Sequence, residues 1–118
     1  MIRKQCDYRK EERFEMRNGS GTVQIEHLFE PGTDLLAPTR LCARLTLEPG
    51  CSIGFHRHEK EEELFVIVRG TAEIDDNGTV SHVSAGDSIL TGNGAGHAVK
   101  NIGSETLEII AVISKYTE

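Results

Sequence analysis

Three histidines and one glutamate stand at spacings suited to binding a metal ion. His56 and His58 are separated by one residue, Glu63 follows a few positions later, and His97 lies further along the chain. Because successive side chains of a β-strand point to opposite faces, His56 and His58 share one face of a strand. Imidazole and carboxylate ligands together suit a divalent transition ion. We therefore predict that these four side chains are metal ligands, with His97 and Glu63 supplied by neighbouring strands.

Short apolar runs between turn residues predict the strands that must position these ligands. The chain contains 12 glycines, and frequent turn residues favour an all-β fold over long helices. A hairpin turn is predicted at Asn77-Gly78, because both residues can adopt the positive φ angles of a tight antiparallel connection. The predicted strands are 22–29, 41–47, 52–57, 63–68, 71–75, 79–83, 88–90, 97–101 and 107–114.

The predicted strand at 63–68 is apolar on both faces. Glu63, Phe65 and Ile67 share one face. Leu64, Val66 and Val68 share the other. We expect both faces to be covered by protein, which a sandwich or closed barrel achieves and a lone open sheet does not.

The predicted strand at 52–57 has small residues next to the histidines. Simple alternation places Ser52 and Gly54 on the same inward face as His56, with Ile53 and Phe55 on the other face. Under this prediction the small side chains leave room beneath the metal ion.

Length and charge limit the classes of protein to consider. A chain of 118 residues predicts a single domain, 1–118, since domains commonly run about 100–150 residues. Its net charge of −6 and lack of a basic cluster argue against a nucleic-acid partner. The longest apolar stretch, 109–113, is far shorter than the roughly 20 residues that cross a bilayer, and the charged N-terminus has no apolar targeting segment. We expect a cytoplasmic protein with no membrane partner.

Residues 1–21 are the least determined part of the chain. The segment is dense in charge, with only Tyr8, Phe14 and Met16 as larger apolar anchors. The sequence leaves open whether it forms a strand, a short helix or an N-terminal arm that docks on a partner subunit.

Two stretches of the chain resemble the two motifs of the cupin superfamily. The first motif is matched at every fixed position, and the second at all but one, where Gly92 replaces the usual proline. The matching residues are Gly50, His56, His58, Glu63 and Gly70, then Gly86, Gly94, His97 and Asn101. The resemblance implies a double-stranded β-helix (jelly-roll) barrel with one divalent transition metal ion per chain, held by His56, His58, Glu63 and His97.

The carboxylate ligand has a neighbour that must be considered. The family spacing permits three or four residues between His58 and the glutamate, so Glu62 is an alternative to Glu63. The spacing to Gly70 and the shared face with Phe65 favour Glu63. Among the other polar residues, His27 and His82 are interpreted as strand residues, although the strand of His27 could border the pocket.

Four protein ligands leave one or two coordination positions of the ion open, which favours a ligand-binding or catalytic site over a closed structural one. With one carboxylate on a divalent ion, the unit carries a net charge of +1 and favours a small anionic ligand. The ion can be Fe, Mn, Ni, Zn or Co, because the ligand types do not select among them.

Three hypotheses about function follow. The first is a metal-dependent enzyme acting on a small anionic metabolite: an oxidoreductase such as a dioxygenase, a lyase such as a decarboxylase, or an isomerase. The sequence identifies no catalytic residue besides the ligands. The second is a module that binds or senses a metabolite without turnover. The third is a structural metal in a homodimer whose interface includes Leu64, Val66 and Val68. We expect a homodimer in each case, because several strands are apolar on both faces.

Overall fold

Alternation of apolar and polar residues along ten strands produces two packed antiparallel sheets. The computed structural model describes residues 1–117, and its strands are β1 (Arg9–Phe14), β2 (Thr22–His27), β3 (Thr39–Leu47), β4 (Ser52–Arg57), β5 (Glu61–Arg69), β6 (Thr71–Asp76), β7 (Thr79–Ser84), β8 (Ser88–Gly92), β9 (Gly96–Asn101) and β10 (Leu107–Lys115). The only helical segments in this range are 3-10 turns at Gln5–Asp7 and Met16–Asn18. Neither has the length or apolar character that crossing a membrane requires.

The larger sheet has the strand order β1-β2-β3-β10-β5-β8, and the smaller has the order β4-β9-β6-β7. The side chains between the sheets form one apolar core, which includes Leu45, Leu47, Ile67, Ile74, Val99, Leu107 and Ile109. This all-β architecture confirms the predicted jelly-roll fold.

All nine predicted strands are present, and each predicted end lies within two residues of the observed one. The hairpin between β6 and β7 is also confirmed, since Asn77 (φ 50°) and Gly78 (φ 102°) both have positive φ. The additional strand, β1, lies in the segment whose structure the sequence left open. It pairs with β2 of the same chain, with Glu11 opposite Ile25.

The predicted facing of β4 was wrong for Ser52, Ile53 and Gly54, although His56 faces inward and Phe55 is exposed as predicted. Ile53 is buried in the core, whereas Ser52 and Gly54 lie against the Met16–Asn18 turn on the outside. The register explains the error: Ile53 pairs with Val99 but His56 pairs with His97, so β4 has one more residue than β9 in this interval. This β-bulge reverses the alternation, which allows both Ile53 and His56 to face the interior.

The outer face of β5 is not covered by any described part of the chain. Leu64 is 38% exposed, Val68 is 47% exposed, and Leu90 on the adjacent β8 is 62% exposed. The inward face follows the prediction, with Glu63, Phe65 and Ile67 buried. The expected cover on both faces is therefore present on the inner side only.

Candidate metal centre

His56, His58, Glu63 and His97 converge in the interior. One ligand atom from each lies within 4.8 Å of those from the others. Oε1 of Glu63 is 3.0 Å from Nε2 of His58 and 3.0 Å from Nε2 of His97. Together these four side chains form the ligand cluster.

The cluster joins the two sheets. His56 on β4 and His97 on β9 are register partners in the smaller sheet, whereas Glu63 comes from β5 in the larger sheet. His58 follows β4, and its backbone is tied to the turn before β9 by hydrogen bonds with Gly94 and Ala95. Closure of the sandwich therefore completes the site.

Each histidine of the cluster is oriented through its Nδ1 atom. Nδ1 of His56 lies 2.8 Å from the carbonyl oxygen of Gly54. Nδ1 of His58 lies 2.5 Å from a carboxylate oxygen of Glu61, and Nδ1 of His97 lies 2.9 Å from the hydroxyl oxygen of Thr91. When Nδ1–H donates these bonds, the Nε2 lone pairs are left to face the centre.

Arg40 extends the hydrogen bonding behind His58. Its guanidinium donates two bonds of 2.8 Å to the Glu61 carboxylate. This pairing with Arg40, together with the hydrogen bond from His58, lowers the pKa of Glu61 to about 2 despite its partial burial. Glu61 is therefore a permanent acceptor for the His58 ring near neutral pH.

Burial and charge act in opposite directions within the cluster. Burial disfavours the charged form of His58, but hydrogen bonds to Glu63 and Glu61 outweigh it and raise the pKa of His58. Burial also opposes ionisation of Glu63, yet its bonds with His58 and His97 lower the pKa of that carboxyl. The pKa of His56 is lowered, chiefly by burial. The cluster thus favours an ionised Glu63, whose buried negative charge is stabilised by a proton or cation placed among the histidines.

The donor set fits a divalent transition ion. Nε2 of His58 and Nε2 of His97 are only 3.1 Å apart, and two lone pairs directed at each other repel unless a cation or proton lies between them. Three imidazoles and one carboxylate are ligands that such an ion accepts. Glu63 lies in this set, whereas Glu62 accepts a hydrogen bond from the Tyr116 hydroxyl at 3.1 Å.

A cavity of about 370 Å³ opens onto the cluster, lined in part by His56, His58, Glu63 and Phe65. The ring of Phe65 stacks on that of His97, with centroids 4.8 Å apart. Four arginines also line the cavity: Arg9, Arg13, Arg17 and Arg40. A cavity of this size lies within the range of small-molecule sites.

Sequence reasoning did not find the cavity residues of the N-terminal segment. Arg9, Glu11 and Arg13 alternate along β1 and line the cavity, as does His27 on the adjacent β2. No local signal identifies this face, because every residue from Arg9 to Arg13 is charged and the two strand faces do not differ in polarity. His27 borders the pocket, and its Nε2 lies 2.6 Å from Oε1 of Glu11. Asn101, the last matched position of the second motif, has a structural role, since it donates hydrogen bonds to the carbonyl oxygens of Leu47 and Glu105.

Comparison with known proteins assigns the family. Residues 43–113, more than half of the chain, match the family model for the cupin domain. The chain belongs to the cupin family.

Individual relatives of this cupin agree in fold and extent. An oxalate-binding protein of Thermotoga maritima is 40% identical over 98 residues, which cover 83% of this chain and 80% of the relative. The crystal structure of a protein described as a predicted oxalate decarboxylase, also from Thermotoga maritima, has a TM-score of 0.91 at 36% identity, covering 98% of this chain and 99% of that one. KdgF from a Halomonas species shares the fold alone, with a TM-score of 0.76 at 14% identity, covering 100% of this chain and 96% of its own.

Proposed function

We propose that this cupin holds one divalent transition metal ion with His56, His58, Glu63 and His97 and binds a small carboxylate anion of the oxalate class beside it. One observation carries the proposal: the cavity that reaches the ligand cluster is lined by four arginines. The relationship to an oxalate-binding protein supports the same ligand class.

Electrostatics favour an anion in this cavity. Arg9, Arg13 and Arg40 are each paired with a glutamate, so within residues 1–117 Arg17 is the arginine of the lining whose charge no carboxylate neutralises. A divalent ion bound by Glu63 would add further positive charge in a partly enclosed space, where charges are screened less than in water. A neutral or cationic ligand would gain nothing from this field, whereas a carboxylate would be attracted by both the ion and the wall.

The chemistry that the ion supplies when bound is that of a Lewis acid with open coordination positions. The protein residues hold the ligands in place. Glu61 and Thr91 fix the ring orientations of His58 and His97, and Phe65 forms an apolar wall against His97. The ligand types accept Fe, Mn, Ni, Zn or Co.

Turnover of the bound anion by an oxidoreductase or lyase reaction is the second candidate function. A specific observation favours it: His27 lines the cavity, is 6% exposed, and is held at 2.6 Å by the Glu11 carboxylate. A carboxylate-held imidazole beside a substrate pocket is an arrangement that transfers protons.

The test begins with elemental analysis of natively purified protein, followed by titration calorimetry with oxalate. We expect about one ion per chain, and oxalate binding that disappears when a chelator removes the metal. Oxalate binding that is unchanged after chelation, or absent with every candidate ion, would contradict the proposal. Release of carbon dioxide or consumption of oxygen by the loaded protein would select the enzyme over the binding module.

We also propose that the exposed apolar face of β5 and β8 forms a homodimer interface. Leu64 and Leu90 are register partners on this face, next to Val68, which is 47% exposed. Exposed contiguous apolar surface of this kind is typical of subunit contacts. Sedimentation at micromolar concentration should give a dimer mass for the wild type and a 13.0 kDa monomer for Leu64→Glu. A wild-type monomer would contradict this.

A further inference from the structure

Arg17 differs from the other arginines of the cavity wall. Arg9 donates two hydrogen bonds to Glu30, Arg13 donates one to Glu11, and Arg40 donates two to Glu61. Within residues 1–117, Arg17 makes no ion pair and no side-chain hydrogen bond, although it lines the same cavity. Its charge is the one arginine charge in the wall that no carboxylate neutralises in the described chain.

The backbone that carries Arg17 has an unusual conformation. Glu15 (φ 51°), Arg17 (φ 54°) and Asn18 (φ 64°) all lie in the left-handed region, which non-glycine residues occupy only when their surroundings hold them there. Two hydrogen bonds close the turn, from the Asn18 N–H to Glu15 O at 3.0 Å and from the Gly19 N–H to Met16 O at 2.9 Å. In this conformation the turn contributes Met16 and Arg17 to the cavity lining.

Close packing fixes the turn to the strand that carries His56. A Cβ atom at Gly54 would collide with the carbonyl oxygen of Arg17, and one at Gly19 would collide with that of Ser52. Glycine in a strand interior commonly marks such close backbone approach. Ser20 N–H also donates to the Ser52 hydroxyl at 2.8 Å. The position of Arg17 is therefore linked to that of the ligand cluster through β4.

We infer that Arg17 binds the distal carboxylate of a dicarboxylate whose other carboxylate lies at the metal. The inference rests on the proposed function and narrows its ligand class. A guanidinium without a protein partner can form a bidentate pair with a carboxylate without first breaking an ion pair. The other three arginines would have to break their ion pairs with glutamates before they could bind a ligand carboxylate in this way. The cavity volume of about 370 Å³ corresponds to about a dozen waters at about 30 Å³ each, which is enough space for a small dicarboxylate.

The experiment compares acetate, oxalate and succinate by titration calorimetry on manganese-loaded protein. The variants are Arg17→Gln and a matched control, Lys10→Gln, which removes the same charge from an exposed position on β1 that does not line this cavity. We expect Arg17→Gln to weaken succinate binding by about tenfold or more, as loss of a charged hydrogen-bonding partner does, and to weaken acetate binding much less, because acetate has no distal carboxylate. Lys10→Gln should leave all three ligands unchanged.

The outcomes separate the inference from the proposed function. Equal weakening of acetate and succinate by Arg17→Gln would mean that Arg17 acts only through the general field, and the inference fails. It also fails if the wild type binds acetate and oxalate but not succinate, or if Arg17→Gln binds succinate as the wild type does. Absence of binding of any carboxylate to the wild type with Mn²⁺, Fe²⁺ or Co²⁺ would reject the proposed function and the inference with it. Circular dichroism and thermal unfolding of both variants should match the wild type, because neither side chain forms an ion pair within residues 1–117.

Discussion

Two triads of arginine, glutamate and histidine approach the interior from different strands, and only one of them reaches the ligand cluster. The ligand triad consists of Arg40, Glu61 and His58, and the cavity triad of Arg13, Glu11 and His27. In each, the glutamate lies between the other two members. The residue types are the same, so the difference in role has a geometric origin.

The difference is the ring nitrogen that the glutamate contacts. Glu61 contacts Nδ1 of His58, which leaves Nε2 to meet His97 and Glu63. Glu11 contacts Nε2 of His27 instead. Nε2 is the ring nitrogen farther from the backbone and therefore the one that would reach a metal ion. In His27 this nitrogen is already hydrogen-bonded to Glu11. A glutamate that contacts Nδ1 of a histidine leaves Nε2 free to bind a metal ion, whereas one that contacts Nε2 occupies that nitrogen.

The largest expected effect is the difference in metal content between alanine variants of His58 and His27. His58→Ala should abolish stoichiometric metal, because it removes one of four ligands, and His97→Ala should do the same. His27→Ala should retain about one ion per chain. Elemental analysis after metal loading and gel filtration measures this, with circular dichroism to show that each barrel is folded. Full metal occupancy in both ligand variants would remove the proposed site.

A smaller effect separates the two glutamates. Glu61→Gln should lower metal affinity by about 10–100-fold, because loss of an outer carboxylate frees the ring orientation and reduces ligand basicity. Glu11→Gln removes the same charge from the cavity triad and should leave metal affinity close to that of the wild type. Competition with a chromogenic chelator measures both affinities. Similar losses in the two variants would show that net charge, and not contact with the ligand histidine, controls affinity.

The smallest expected effect is the difference in the free energy of unfolding between variants of Arg40 and Arg13. Arg40→Gln should lower the free energy of unfolding at neutral pH by about 1 kcal/mol, since Arg40 is partly exposed but forms a bidentate pair. Arg13→Gln should change it by less than about 0.5 kcal/mol, because its contact is a single exposed bond of 3.3 Å. Urea unfolding measures both.

The stability difference caused by Arg40 should depend on pH with a defined sign. The pKa of Glu61 is lowered from 4.5 to about 2 in the folded protein, so its pairing stabilises the fold above pH 4.5. That contribution is lost as the pH falls from 4.5 to about 2, because the proton then binds the unfolded chain more tightly than the folded one. The difference between wild type and Arg40→Gln should shrink over the same range. A difference that is constant across this range would show that Arg40 acts through packing.

Local patterns were sufficient for the strands and for the identity of the ligand cluster. Period-two alternation and turn residues located nine strands, and the spacing of His56, His58, Glu63 and His97 selected the four side chains that the fold brings together. These features depend on neighbours in sequence, and so they can be read from the chain. The choice of Glu63 over Glu62 also followed from strand parity.

Three features depended on the tertiary structure. The bulge in β4 that turns Ile53 inward is defined by pairing with β9, and β1 is a strand because β2 lies beside it. The basic wall of the cavity requires that the turn carrying Arg17, the strand carrying Arg13 and the strand carrying Arg40 meet around one space. Residue type and spacing determined which groups form the ligand cluster. Which charges face it was decided by contacts between segments far apart in the chain, and no local pattern encodes those.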